Sequence, residues 1–145
     1  AGRCSQSFPS GSDVILMPTP GSSSLFKGWS GDCKVIGDNC SLTLDSARSV
    51  SAEFIHVPPV KAGVATLSYF PTLNQAYNSA IAPGIYTIRA QAVSFIENLL
   101  LNRNVALILS GGYDAGFSAQ DGETSILGAI TIVNGSLTVE NLVIK

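Results

Sequence analysis

An all-β fold with one short helix is what this sequence predicts: a small disulfide-stapled module followed by a helix-capped short parallel β-solenoid. Three observations lead there. Apolar and polar residues alternate over short runs bounded by Gly, Pro, Asn and Ser, which is the period of half-buried strands. Only 12% of the 145 residues are charged while 46% are apolar, about half the usual charged share. A helical period appears in one stretch alone.

The composition breaks once, at His56–Gly63, "HVPPVKAG". Pro58-Pro59 can continue neither a helix nor a central strand. We therefore expect a first module over residues 1–57, a linker over 58–63 and a second domain over 64–145. In the first module, "SDVILMPTP", "SLFKGWS" with a bend at Gly28, "CSLTLD" and "SVSAEFIHV" read as strands. Their core is expected around Phe8, Val14, Leu16, Trp29 and Phe54. Some 60 residues bury little surface, so such a module is marginal by itself.

The second domain opens on "PTLNQAYNSAIAPG". Leu73, Ala76, Tyr77, Ala80 and Ile81 share one helical face, and Thr72 with Gln75 makes a T-x-x-Q capping box. A helix over Thr72–Ile81 is expected, ended by Pro83-Gly84. From Ile85 on, "IYTIRAQ", "SFIENLLLN", "VALILSGG", "TSILGAITIVN" and "SLTVENLVIK" read as strands. "FIENLLL" recurs 43 residues later as "TVENLVI", aligning Glu97 with Glu140 and Asn98 with Asn141. Two turns of about 21 residues would give that offset, as in a solenoid. Asn98, Asn102, Asn134 and Asn141 would then turn corners, and the helix would cap the first turn. The competing reading is an antiparallel meander, because Asn134-Gly135 suits a hairpin between alternating strands.

Six residues separate Cys33 from Cys40, with Gly37, Asp38 and Asn39 among them. A zinc site needs four ligands, the sole histidine is His56, and a redox pair would need C-x-x-C. A structural disulfide closing a turn is the expected outcome. Cys4 is left over, either unpaired or bonded to another chain.

Charge excludes other classes. The net charge is −2 and the basic residues are scattered, so no field draws in nucleic acid or anionic lipid. No apolar run approaches the ~18 residues of a membrane span, so no membrane insertion is expected. With no signal-like start, Ala1 reads as a processed end whose signal sequence has been removed. A disulfide fits export.

Ser10–Phe54 resembles the divergent internalin-type B-repeat of bacterial surface proteins. The resemblance rests on Gly11, Val14, Pro20, Phe26, the block "GWSGDC" (Gly28–Cys33), Cys40, Leu42, Leu44, Ala47, Val50 and Phe54. It implies a small β-grasp-like extracellular module, usually one of a row, with Trp29 in its core and Cys33–Cys40 bonded. Members often carry another cysteine pair near the start, where this chain has only Cys4. More loosely, "TLNQAYNSA", "FIENLLLNRNVALILSGGYD" and "GSLTVENLVI" resemble the capped opening turns of extracellular right-handed β-helices.

Candidate sites are few. No catalytic residue, cofactor or metal site is expected. Glu97 and Glu140, two turns apart at ~4.8 Å per turn, would stand roughly 10 Å from each other, too far for paired hydrolytic carboxylates. Asp114, Asp121 and Glu123 lack EF-hand spacing and read as a solvated loop. Of the aromatic residues that could stack on a sugar, Tyr113 and Phe117, in a Gly-rich loop, are expected to be the exposed pair, ahead of Tyr69, Phe70, Tyr77 and Tyr86. "SLTVENLVIK" would leave an open edge, with Leu137, Val139, Leu142 and Ile144 as an assembly strand.

The expected function is therefore that of a non-enzymatic exported structural protein, outside the cell or on the bacterial surface, acting by assembly. It could be the globular subunit of a pilus-like filament or envelope assembly. By size, and by lacking an apolar N-terminal helix, it looks like the separate β-rich globular chain of a two-chain type IV-like pilus. The partner would then be a short helical pilin or another copy. The alternative is a polysaccharide- or matrix-binding adhesin module, or a fragment of a larger repeat adhesin.

Overall fold

A computed structural model describes residues 7–145. Cys4, expected to be unpaired or partner-linked, lies outside the described residues. Among the described residues strands dominate and there is one short helix. Contacts divide the chain into two compact units. One holds residues 7–20 with Phe26–Ile55; the other holds Gly21–Leu25 with His56–Lys145.

The first unit consists of strands. β1 (Ser12–Leu16), β3 (Lys34–Ile36) and β4 (Asn39–Leu44) form an antiparallel sheet in the order β1-β4-β3, while β2 (Ser24–Gly31) pairs with β5 (Val50–His56). β2 runs unbroken through Gly28, where a bend was expected. Period-2 patterning places Val14, Leu16 and Leu44 half-buried between exposed neighbours, and Leu42 is half-buried as well. Phe26 packs on Trp29 and Phe54, with ring centroids 5.4 and 5.6 Å apart. Two members of the expected core stand largely outside it, Phe8 and Phe54 both being 43% exposed. Two thin sheets in a module this small cannot close over every large side chain.

The second unit is a coil of three stacked rungs. The first is β8 (Gly84–Gln91), β9 (Ser94–Phe95) and β10 (Leu99–Leu101). The second is β11 (Val105–Tyr113), β12 (Thr124–Ile126) and β13 (Ile130–Ile132), and the third is β14 (Ser136–Glu140) and β15 (Leu142–Ile144). Every ladder between rungs is parallel: β8-β11-β14, β9-β12-β15 and β10-β13. This is the solenoid and not the meander. β13 and β14, which flank Asn134-Gly135, belong to different ladders, so the dipeptide turns a corner instead of closing a hairpin. Gly135 supplies that corner's φ of 83°, and the Asn134 side chain accepts from its N–H. Asn98, Asn102 and Asn141 also fall in breaks between strands. Asn98 accepts from Ala129 N–H on the next rung at 2.8 Å.

The rungs are unequal, and this corrects the evenly spaced repeat. Register carries Tyr86 to Leu107 and then Leu107 to Leu137, so the second turn is the longer. The extra length is the loop between β11 and β12. Glu97 consequently lies at the β9–β10 corner and Glu140 at the end of β14, on different ladders. The sequence echo does not mark equivalent positions.

Inward side chains stack into a dry interior: Ile88, Leu99, Leu101, Leu107, Leu109 and Ile126 are each 0 or 1% exposed. The first rung is closed by more than the helix. β6 (Val60–Gly63) and β7 (Ser68–Phe70) form an antiparallel hairpin that extends the sheet along β8, giving the order β14-β11-β8-β6-β7. The segment expected to be a linker is thus partly a central strand: Pro58-Pro59 delays it, then Val60 and Ala62 turn inward and are buried. α1 (Leu73–Asn78) packs against β6, β7, β8 and β10. Thr72 caps it, its hydroxyl accepting from Gln75 N–H at 3.1 Å. The helix stops short of the expected Ile81, because the Ser79 N–H and hydroxyl both bond to the Ala76 carbonyl. Ile81 is left 84% exposed.

Candidate functional site

The block "GWSGDC" holds a corner together. Gly31 has φ +92° and lies so close to Ser49 that any Cβ would collide with the Ser49 carbonyl. Asp32 clasps the same residue twice: its N–H donates to Ser49 O at 2.7 Å and its carboxylate accepts from Ser49 N–H at 2.9 Å. Trp29 Nε1 donates to the Asp38 carbonyl at 2.8 Å, reaching into the loop that Cys33 and Cys40 close. Cys33 and Cys40 are bonded, with Cα atoms 5.5 Å apart, and Cys40 is fully buried. These residues shape the module and converge on no reactive group.

The last strand of each parallel ladder differs from the strands beneath it. Leu137, Val139, Leu142 and Ile144, read from sequence as an edge strand, occupy inward register positions over Leu107, Leu109, Thr124 and Ile126. Leu137 and Leu142 pack partly buried against the core, while Val139 and Ile144 stay exposed above it. Ile130 and Ile132, which the edge argument missed, sit likewise over Leu99 and Leu101. The alternation in "GAITIV" carried that signal. Exposure shows the result: Leu101, Leu109 and Ile126 are 1, 0 and 0% exposed, while their upper neighbours Ile132, Val139 and Ile144 are 51, 46 and 52% exposed. β13, β14 and β15 are each the last strand of their ladder. An apolar end therefore coincides with three free backbone edges.

The Gly-rich loop folds back onto the outer face of the first ladder. Asp114 starts it, its carboxylate accepting from Ser118 N–H at 2.7 Å and from Ser118 hydroxyl at 2.6 Å. These bonds hold the Asp114 carboxyl below the usual carboxylate range. Phe117, at φ 57°, turns inward. It is only 7% exposed, with its ring centroid 5.9 Å from those of both Tyr69 and Tyr113 and the Lys61 ammonium 5.7 Å away. This corrects the expectation of an exposed Phe117. Tyr113 is half-buried under Arg89, and Tyr69, at 48% exposed, is the open ring of the group.

The carboxylates have structural partners. Glu97 receives Leu73 N–H, Asn74 N–H and the Asn74 amide at the start of α1. Glu140 receives the Ser110 hydroxyl at 3.1 Å. Among the described residues, Asp114, Asp121 and Glu123 do not converge, and no three His, Cys, Asp or Glu side chains are grouped to hold a metal ion. Among the same residues, no helix is long and apolar enough to cross a membrane.

Fold and site together describe a mainly β chain, a disulfide-stapled module followed by a short solenoid. Residues 1–58 match the family model of the divergent InlB B-repeat domain, a bacterial surface repeat. The match agrees with the resemblance carried by "GWSGDC" and covers 58 of the 145 residues. No curated protein and no solved structure gives a significant match.

Proposed function

We propose that this chain is a non-enzymatic structural component of the bacterial surface that works by assembly, its third rung accepting a β-layer from a protein partner. One observation carries the reading: Val139 and Ile144, inward on that rung, are about half exposed where Leu109 and Ile126 below them are fully buried. Apolar surface gains roughly 25 cal/mol per Å² on burial. Unpaired strand edges add directional backbone bonding, so a strand-bearing partner satisfies both needs at once. The surface-repeat match over residues 1–58 supports such a role outside the cell. A pilus-like filament, with a short helical pilin or another copy as partner, is the specific form of this reading.

Substituting Val139→Lys and Ile144→Lys tests it, since both side chains are already about half exposed. The native chain, recovered from cells, is expected to travel with sheared surface filaments or in a complex of defined size. The double variant should fold and be released as a monomer. A native chain that stays monomeric and free of surface material would overturn the proposal. So would a native mass well above 15.1 kDa, because the next rung would then be the chain's own continuation.

A further inference from the structure

The outer face of the first ladder holds two cations where a sheet gains nothing from them. Val60, Ala62, Ile88 and Ala90 point inward and are buried, so Lys61 and Arg89 point outward. They are direct register partners on β6 and β8. Tyr69 on β7 is the register partner of Lys61 on its other side. Side chains directly opposite each other in an antiparallel pair stand about 5 Å apart at Cβ, and like charges there repel. Among the described residues, neither has a carboxylate within ion-pair distance; the ion pairs are Lys27–Glu53 and Arg48–Asp45.

Aromatic rings hold both cations in place without neutralising them. The Lys61 ammonium lies 5.4 Å from the Tyr69 ring centroid and 5.7 Å from that of Phe117, and the Arg89 guanidinium lies 5.8 Å from Tyr113. The buried Phe117 ring therefore acts as a brace that fixes the Lys61 charge. Beside them opens a hollow of about 330 Å³. Lys61, Arg89 and Thr87 line it, with apolar walls from the β6–β7 loop at Val64 and Leu67. Those walls are open to solvent, Val64 being 75% and Leu67 50% exposed.

From this geometry we infer a binding site for a carboxylate-bearing saccharide, a hexuronate unit of an acidic polysaccharide. The planar Arg89 fork and the Lys61 ammonium suit a carboxylate. Thr87 offers a hydroxyl for a ring oxygen or hydroxyl. Val64 and Leu67 suit the C–H face of a pyranose. A neutral sugar would leave two cations uncompensated, and a bare inorganic anion would leave the apolar walls unused. The site is separate from the third rung and does not depend on the assembly reading.

Titration of the full chain with hexagalacturonate, its methyl ester and inorganic phosphate tests the inference. We expect saturable binding of the hexagalacturonate, at least tenfold weaker for the ester, and weakened by raising salt from 50 to 500 mM. Lys61→Gln and Arg89→Gln should each weaken it tenfold or more. Both cations rest on aromatic rings, so a loss of binding counts only for a variant whose amide spectrum is otherwise unchanged. Equal binding of the ester, undiminished binding by folded Lys61→Gln, or no binding at millimolar concentration would overturn the inference. Phosphate competing as well as the uronate would also overturn it, reducing the site to a simple anion hole.

Discussion

Glu97 holds Asn74 by two bonds, its Oε2 accepting from the Asn74 backbone N–H at 3.0 Å and from the Asn74 side-chain amide at 2.6 Å. Its other oxygen accepts from Leu73 N–H at 2.9 Å. A carboxylate on the first rung thus satisfies backbone donors that the start of α1 would leave unpaired, and its charge suits the helix dipole there. Removing a charged acceptor strands those donors in a half-buried place. Glu97→Ala should lower stability by about 1–3 kcal/mol, with Glu97→Gln intermediate. Urea unfolding, with hydrogen exchange at the Leu73 and Asn74 amides, measures this. Unchanged protection at both amides would show that the helix is held by packing alone.

Cys33 and Cys40 close the short loop from which Asp38 offers its carbonyl to Trp29. Loop closure of this length is worth about 2–3 kcal/mol in the chain-entropy account, a large share of what a module of this size can have. Reduction should lower the melting midpoint of the first unit and shift Trp29 emission to the red. The Cys33→Ser and Cys40→Ala pair should do the same without reductant. Unchanged emission with both thiols shown to be free would mean that the loop keeps its shape without the bond.

Most of the strand pattern is legible because alternation is a local signal. Val60 and Ala62 carry it too, but Pro58-Pro59 beside them read as linker chemistry. The helix start is legible in Thr72 and Gln75; its end is not, because Ser79 closes it through its own cap while Ala80 and Ile81 prolong the apolar stripe. The solenoid's pitch cannot be taken from Glu97 and Glu140: only pairing across rungs reveals that the second turn is longer than the first. Leu137, Val139, Leu142 and Ile144 can be singled out as apolar, yet whether they lie along an edge or form the top of a core depends on what stands beneath them. The adjacency of Lys61 and Arg89 is a matter of register between strands far apart in the chain, which no local pattern encodes. Phe117 reads as exposed because its neighbours are Gly and Ser; its φ of 57° turns it the other way.

Asp114 gives the loop between β11 and β12 a pH dependence. Hydrogen bonds from Ser118, hydroxyl and N–H, hold its carboxyl below the ordinary range. A carboxyl lowered in the folded state binds its proton more weakly there than in the unfolded chain. Its contribution is therefore complete above the unfolded value of about 3.9 and is lost as pH falls through the lower folded value. The loop, and with it the seat of Phe117 between Tyr69 and Tyr113, should stay unchanged from pH 8 to pH 5 and loosen only in more acid solution. The Ser118 amide proton is the reporter: its chemical shift should titrate with a midpoint below that of an ordinary aspartate. Asp114→Ala should give the loosened spectrum at every pH, with the ring resonances of Phe117 moving toward those of a free side chain. A Ser118 midpoint at or above the ordinary aspartate value would show that these bonds do not favour the ionised form, and the account of how the loop is fastened would fail with it.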